Sequence, residues 1–179
     1  MSELRSSSSD RYTAPQQRDA WAVDAAAQGK LGTQRLLAVE TGPPADEVRD
    51  ALQLPPGAQV VVRRRLILAD GEPVEIAASY YPASIAADTP LAENKKVRGG
   101  AVRILVEAGY RLDESVERVT AERPTREDVA LLDIAEDEPL IVIRRVSAPT
   151  GREPVEYAVN RMVGNRVEPL EYRMRNTRQ

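Results

Sequence analysis

One stretch of this sequence occurs twice, and that repeat constrains the fold more than anything else in it. Arg64-Arg65 recurs as Arg144-Arg145, 80 positions on. Glu72-Pro73-Val74-Glu75 recurs as Glu153-Pro154-Val155-Glu156, 81 positions on. One extra residue in the second loop accounts for the slip. Similarity at a fixed period marks a duplicated supersecondary unit.

Each copy reads as a helix followed by a β-hairpin. In the first, Ala45 to Leu52 is a helix candidate and Pro55-Pro56-Gly57 a turn. Val60 to Leu68 is a strand, Asp70-Gly71 a hairpin turn, and Pro73 to Ala77 the return strand. In the second, the helix is Arg126 to Leu132 and the strand Leu140 to Val146. Thr150-Gly151 makes the turn and Pro154 to Ala158 returns. Two such units pair into one antiparallel sheet covered by helices. The predicted class is α+β, a mostly antiparallel sheet with flanking helices.

Between the copies, Gly99-Gly100 and Gly109 bracket a third helix, Ala101 to Ala108. Tyr110 to Glu122 reads as a long strand, and Val167 to Met174 as a last strand to finish the sheet. Upstream, Leu36 to Val39 has the look of a short strand. Gln16 to Gln28 reads as a helix closed by Gly29. Ser6 to Ser9 is too polar to order itself, so residues 1–15 are expected to be a tail or linker end. Residues 16–35 then form a linking helix, and 36–175 the main domain.

Composition excludes whole classes of chemistry. The 179 residues contain no His and no Cys. Disulfides, Cys/His zinc sites, thiol nucleophiles and Ser-His-Asp triads are ruled out. No metal or cofactor is expected. Phe is absent and aromatics make up 4%, which disfavours base-stacking surfaces. The net charge of −3 argues against DNA binding by this chain alone, and Arg173, Arg175 and Arg178 read as a solvated basic end. No apolar run reaches the length of a membrane span, so no membrane partner is expected, and a cytoplasmic location is the default.

Strand alternation sorts the side chains into faces. Val74, Ile76, Ala78 and Tyr80 are expected to share the core face of one return strand. Val155, Tyr157, Val159 and Arg161 are their counterparts. The opposite faces carry Glu75, Ala77, Ser79, Tyr81 and Glu156, Ala158, Asn160, Met162. Such a small, polar face is either wetted by solvent or lines a ligand cleft. Arg63 and Arg65 share a face with Val61 and Ile67. These arginines either pair with neighbouring acids or fork onto a ligand carboxylate or phosphate. Glu75 and Glu156 read best as partners of the arginines.

The string Ala69-Asp70-Gly71-Glu72-Pro73-Val74 followed by Ser79-Tyr80-Tyr81-Pro82 resembles the UTRA domain. That is the effector-binding domain of HutC-subfamily, GntR-type bacterial transcription regulators. Arg103-Ile104-Leu105 with Gly109 resembles the family's central helix. Glu127 through Leu132 with Asp133-Ile134, and Glu153-Pro154-Val155-Glu156, resemble later family motifs. The resemblance spans about Leu36 to Arg175.

It implies a chorismate-lyase-like fold that binds a small-molecule effector and forms a homodimer. It also implies that operator DNA is contacted only through a winged-helix domain, for which the residues before Leu36 leave no room. Sugar-phosphate-binding members use an Arg-x-Arg pair; Arg65 matches the first position and Ile67 stands at the second. Ala77 stands where such members have an acid, and Gly100 where a helix hydroxyl contacts phosphate. Glu156 matches the closing-hairpin acid. Arg103 on the central helix, with Ser79, Tyr81, Asn160 and Met162 on the polar strand faces, completes the expected effector site. The departures point to an effector more apolar, or differently charged, than an amino-sugar phosphate. The alternatives are a chorismate-lyase-like enzyme and a protein-interaction module without a ligand.

Overall fold

The computed structural model describes residues 4–6, 20–97, 99–170 and 172–174. Its strands are β1 (Leu4–Ser6), β2 (Gly32–Gly42), β3 (Val60–Ala69), β4 (Glu72–Pro82), β5 (Glu114–Glu122), β6 (Leu140–Ala148), β7 (Glu156–Val163) and β8 (Tyr172–Met174). The helices are α1 (Ala20–Ala27), α2 (Asp46–Ala51), α3 (Ala83–Ala86), α4 (Gly100–Glu107) and α5 (Arg126–Leu132). At the centre stands a six-stranded antiparallel sheet of order β2-β3-β4-β7-β6-β5. The α+β class and the two helix-hairpin units expected from the repeat are both present.

The hairpins meet along β4 and β7, where Ala78 pairs with Val159. These two residues are equivalent in the repeat, so a pseudo-twofold axis passes between them. The repeat governs backbone detail too. Gln53 and Asp133, which end α2 and α5, adopt the same left-handed conformation with φ of 53° and 51°. Asp70 and Gly71 also have positive φ, which is the primed turn a two-residue hairpin loop requires. A full capping box of Thr125 and Asp128 starts α5.

Helices α2 and α5 cover one face of the sheet. Leu132 of α5 packs there with Leu66, Ile76, Leu140, Val142 and Val163 of the sheet, and Val48 and Leu52 of α2 pack with Val60 and Tyr157. Each hairpin's arginine on this face reaches the helix of the other copy. Arg64 Nη2 pairs with Glu127 on α5 at 2.8 Å, and Arg144 Nε with Glu47 on α2 at 2.8 Å. The exchange ties the two repeats together across the axis. Arg144 also holds Glu122 at 2.6 Å, a bond that pulls the Glu122 carboxyl down to about 2.

Several expectations need correction. Val74 does not share a face with Ile76, Ala78 and Tyr80. A bulge between Ile67 and Leu68 makes Val74 an extra residue, and it packs with Ile67, Ala69 and Ala77 instead. The strand Val167 to Met174 does not finish the sheet. Its end, β8, pairs with β1 in a separate two-stranded ladder. Three residues of the expected tail are therefore in a strand; its others, and Gln16 to Asp19, lie outside the described residues, as do Arg175 and Arg178. The strand expected from Tyr110 begins only at Glu114. Conversely, β2 and β4 extend well past the short runs read from their apolar residues.

Candidate functional site

The second face of the sheet, facing away from α2 and α5, is not a wetted surface. Ala77, Ser79 and Tyr81 on β4 and Glu156, Ala158 and Met162 on β7 are all buried. Two caps cover its ends. At one end α3, a 3-10 turn (Pro90–Ala92) and α4 enclose Val61, Tyr81, Leu91, Ile104 and Leu105. At the other, Trp21 of α1 and Val167 cover Ile67, Ala69, Val74 and Ala77. Trp21 is fastened there by its indole N–H, which donates to the Leu68 carbonyl at 2.9 Å.

A pocket of ≈ 60 Å³ opens beside the first cap. It has room for a few waters or one small anionic group. Its walls are Gln34 and Leu36 from β2, Arg63 and Arg65 from β3, Tyr81, and the segment Lys96, Val97, Gly100 and Ala101. Arg63 builds the front wall. Its guanidinium donates to the carbonyls of Leu91 at 2.6 Å, Glu93 at 2.9 Å and Lys95 at 2.7 Å. The segment leading into α4 thus hangs on one buried arginine.

Arg65 makes different contacts. Its Nη2 donates to Ser79 Oγ at 3.2 Å, while its Nε is buried with no hydrogen-bond partner. Across the pocket lies the first turn of α4. Gly99 and Gly100 both have φ of 77°, and no side chain caps that helix start. Its N–H groups and dipole favour an anion at the same place that Arg65 does.

The polar groups continue across the sheet. Tyr81 is 1% exposed, and its hydroxyl donates to Glu156 Oε1 at 2.9 Å. Burial first, and Glu156 second, push the Tyr81 phenol far above its usual range, so it stays a donor. The other Glu156 oxygen has no hydrogen bond and lies 4.0 Å from Arg145 Nη2. Arg145, the repeat counterpart of Arg65, also has a buried Nε without a hydrogen-bond partner.

Glu75 is the counterpart of Glu156, and here the pseudo-symmetry breaks. Where Glu156 meets a tyrosine hydroxyl, Glu75 pairs in register with Met162. Burial pushes the Glu75 carboxyl up to about 7, against the pull of Arg65 and then Arg145. The consequence for stability follows from its sign. Below 4.5 the carboxyl is neutral both folded and unfolded. Between 4.5 and about 7 only the unfolded chain ionises, so stability falls with rising pH and then levels off. Glu75→Gln removes that penalty. The variant should melt with wild type at pH 4 and above it at pH 8, by about 2 kcal/mol after allowance for the partly exposed side chain. Thermal melts at both pH values check this.

The structure places the expected site residues in three groups, with Arg103 apart from them. Arg65, Tyr81 and Gly100 line the pocket, with Ser79 bonded to Arg65 and Glu156 to Tyr81. Asn160 and Met162 lie farther along the same face, opposite Ala77 and Glu75. Ile67 and Ala77 pack into the apolar cluster under Trp21. Arg103 pairs with Glu107 along α4 at 2.6 Å and is not among the pocket's lining residues. Gln34, Leu36, Lys96 and Val97 carry no signal of a site in the sequence, because the repeat does not contain them.

Known proteins match this arrangement. A model of the UTRA domain matches residues 27–168. An uncharacterized HTH-type transcriptional regulator of Streptomyces coelicolor is 32% identical over 122 residues, 66% of this chain and 45% of the relative. Another, from Rhizobium meliloti, is 29% identical over 142 residues, 78% of this chain and 56% of the relative. The chain thus spans about half the length of the curated relatives it matches. Among solved structures, the effector domain of PhnF from Mycobacterium smegmatis superposes with a TM-score of 0.70 at 20% identity, covering 82% of this chain and 89% of that one. A GntR-family regulator from Enterococcus faecalis superposes with 0.70 at 18% identity, covering 78% and 99%. These likenesses agree with the duplicated antiparallel sheet and its flanking helices, a chorismate-lyase-like fold. The matched residues contain both hairpins, both repeat helices and the pocket, and on that basis the chain belongs to the UTRA domain family.

Proposed function

We propose that the pocket between β3 and the start of α4 binds a small effector through its acidic group, and that this binding controls a DNA-binding unit. The observation that carries the reading is the buried Arg65 Nε with no hydrogen-bond partner, on a residue that lines one pocket with an uncapped helix start. A carboxylate or phosphate there satisfies both. The role is one of binding, in a homodimeric cytoplasmic regulator. Operator DNA is contacted by a helix-turn-helix unit like those for which the relatives are named. Effector binding then acts by favouring one arrangement of the dimer over another.

A thermal-shift screen of metabolite carboxylates and phosphates tests this, run on wild type, Arg65→Ala and Glu156→Gln. At least one compound should raise the wild-type melting temperature. Arg65→Ala should weaken that compound's binding at least tenfold, while its ligand-free melt stays near wild type. Equal shifts in all three proteins would remove these residues from the site.

A further inference from the structure

We propose that β5 is the seam of the homodimer. It pairs antiparallel with β5 of a second copy and continues the sheet across a twofold axis at Val116. The proposal rests on the homodimer reading above and adds the surface that makes it.

The first observation is an uncovered edge. An edge strand presents a row of unpaired N–H and C=O groups, and proteins blunt such edges with proline, lysine, bulges or a covering element. The edges of this sheet are β2 and β5. Helix α1 packs so closely on β2 that a Cβ on Gly32 would stand 2.7 Å from that of Ala25. On β5 every residue but Glu117 and Glu122 is exposed, and Val116 is 61% exposed. The strand holds no proline, lysine or glycine, and it runs against β6 in unbroken register.

The second is self-complementary charge. Glu114, Val116 and Arg118 share one face of β5. In an antiparallel twofold pair, residues equally far from the axis on either side stand opposite each other. With the axis at Val116, valine meets valine and Arg118 of each chain meets Glu114 of the other. On the opposite face, Ser115 of each meets Glu117 of the other. Among the described residues, neither Glu114 nor Arg118 has a side-chain hydrogen bond or ion pair. Arg118 stands opposite Arg144, which already holds Glu47 and Glu122. A second copy supplies the anion that Arg118 lacks.

The third is that neighbouring registers fit worse. An axis at Ser115 sets Glu117 on Asp113, and one at Glu117 sets two glutamates together. An axis at Arg118 sets arginine on arginine and Glu114 on Glu122. Like charges directly opposite each other oppose pairing. An axis at Val119 leaves Arg118 on Thr120. An axis at Thr120 gives Arg118 only Glu122, which Arg144 and Arg161 hold at 2.6 and 3.0 Å.

Sedimentation equilibrium tests this on wild type, Arg118→Glu, Glu114→Arg and an equimolar mixture of the two variants. Each variant alone places like charges opposite each other twice, so its dimer should dissociate at least ten times more readily than wild type. In the mixture every one of these pairs is again glutamate on arginine, so a heterodimer should form with an affinity within threefold of wild type. If both variants dimerise as wild type does, the seam is overturned and the homodimer reading stands. If the variants are weakened and mixing restores nothing, the Val116 register is overturned. A wild-type chain that stays monomeric at every concentration sinks the seam and the homodimer reading together.

Discussion

An Arg63→Ala variant is expected to melt roughly 10 °C below wild type, a loss on the order of 3–4 kcal/mol. The magnitude follows from what the guanidinium does. It is 5% exposed and donates to the carbonyls of Leu91, Glu93 and Lys95. Without it, three acceptors in and beside the 3-10 turn must find water or stay unpaired. The segment also carries Lys96 and Val97 into the pocket wall and sets where α4 begins. Ligand binding should therefore fall together with stability. Arg63→Lys should restore less than half of the loss, because one ammonium cannot reproduce a planar fork spanning carbonyls on both of its ends. A melt within about 2 °C of wild type would show that the segment is held by something else.

Tyr81→Phe should be the second large effect, about 2–3 kcal/mol. The phenol is enclosed and donates to Glu156 Oε1. Removing the hydroxyl leaves a carboxylate that is 4% exposed with neither oxygen hydrogen-bonded, since Oε2 already lacks a donor. Arg145 at 4.0 Å remains its nearest compensation. Combining Tyr81→Phe with Glu156→Gln should lose clearly less than the two single losses added together, because the neutral amide is less costly to leave unpaired. Additive losses in a denaturant-based double-mutant cycle would contradict the coupling.

The repeat makes most of the architecture legible in the sequence. Two copied units, each with an amphipathic helix and a turn-bounded hairpin, have few ways to bury their apolar faces other than side by side. That is why α2, α5, β3 and β6 match expectation closely. The hairpin turn at Asp70-Gly71 is readable for a local reason, since its backbone conformation suits few other residues.

What the sequence hides is long-range. The bulge that turns Val74 over depends on how β3 and β4 pair, and alternation alone cannot register one extra residue. The fate of the chain's last strand depends on a partner at the other end of the sequence, Leu4–Ser6. The site is half legible. Arg65, Tyr81, Glu156 and Gly100 follow from the strand faces and the family motifs. Arg63 and Arg65, two residues apart on one face, look alike in sequence. Only the path of the 90–97 segment makes the first a structural clasp and leaves the Nε of the second without a hydrogen-bond partner. Likewise, Glu75 and Glu156 are identical by repeat, and only the Met162 and Tyr81 opposite them set them apart.

The central claim is that the effector lies on the Arg65 face of the sheet and not on the face covered by α2 and α5. Arg64 and Arg65 are neighbours in sequence and point to opposite faces, so they provide the cleanest contrast. The direct measurement is an amide chemical-shift map with the strongest ligand from the metabolite screen, repeated in Arg64→Ala and Arg65→Ala. The account predicts the largest shifts at Gly100, Ala101 and Ser79 to Tyr81, unchanged in Arg64→Ala and lost in Arg65→Ala. Shifts centred on α2 and α5, or a map that survives Arg65→Ala intact, would contradict it.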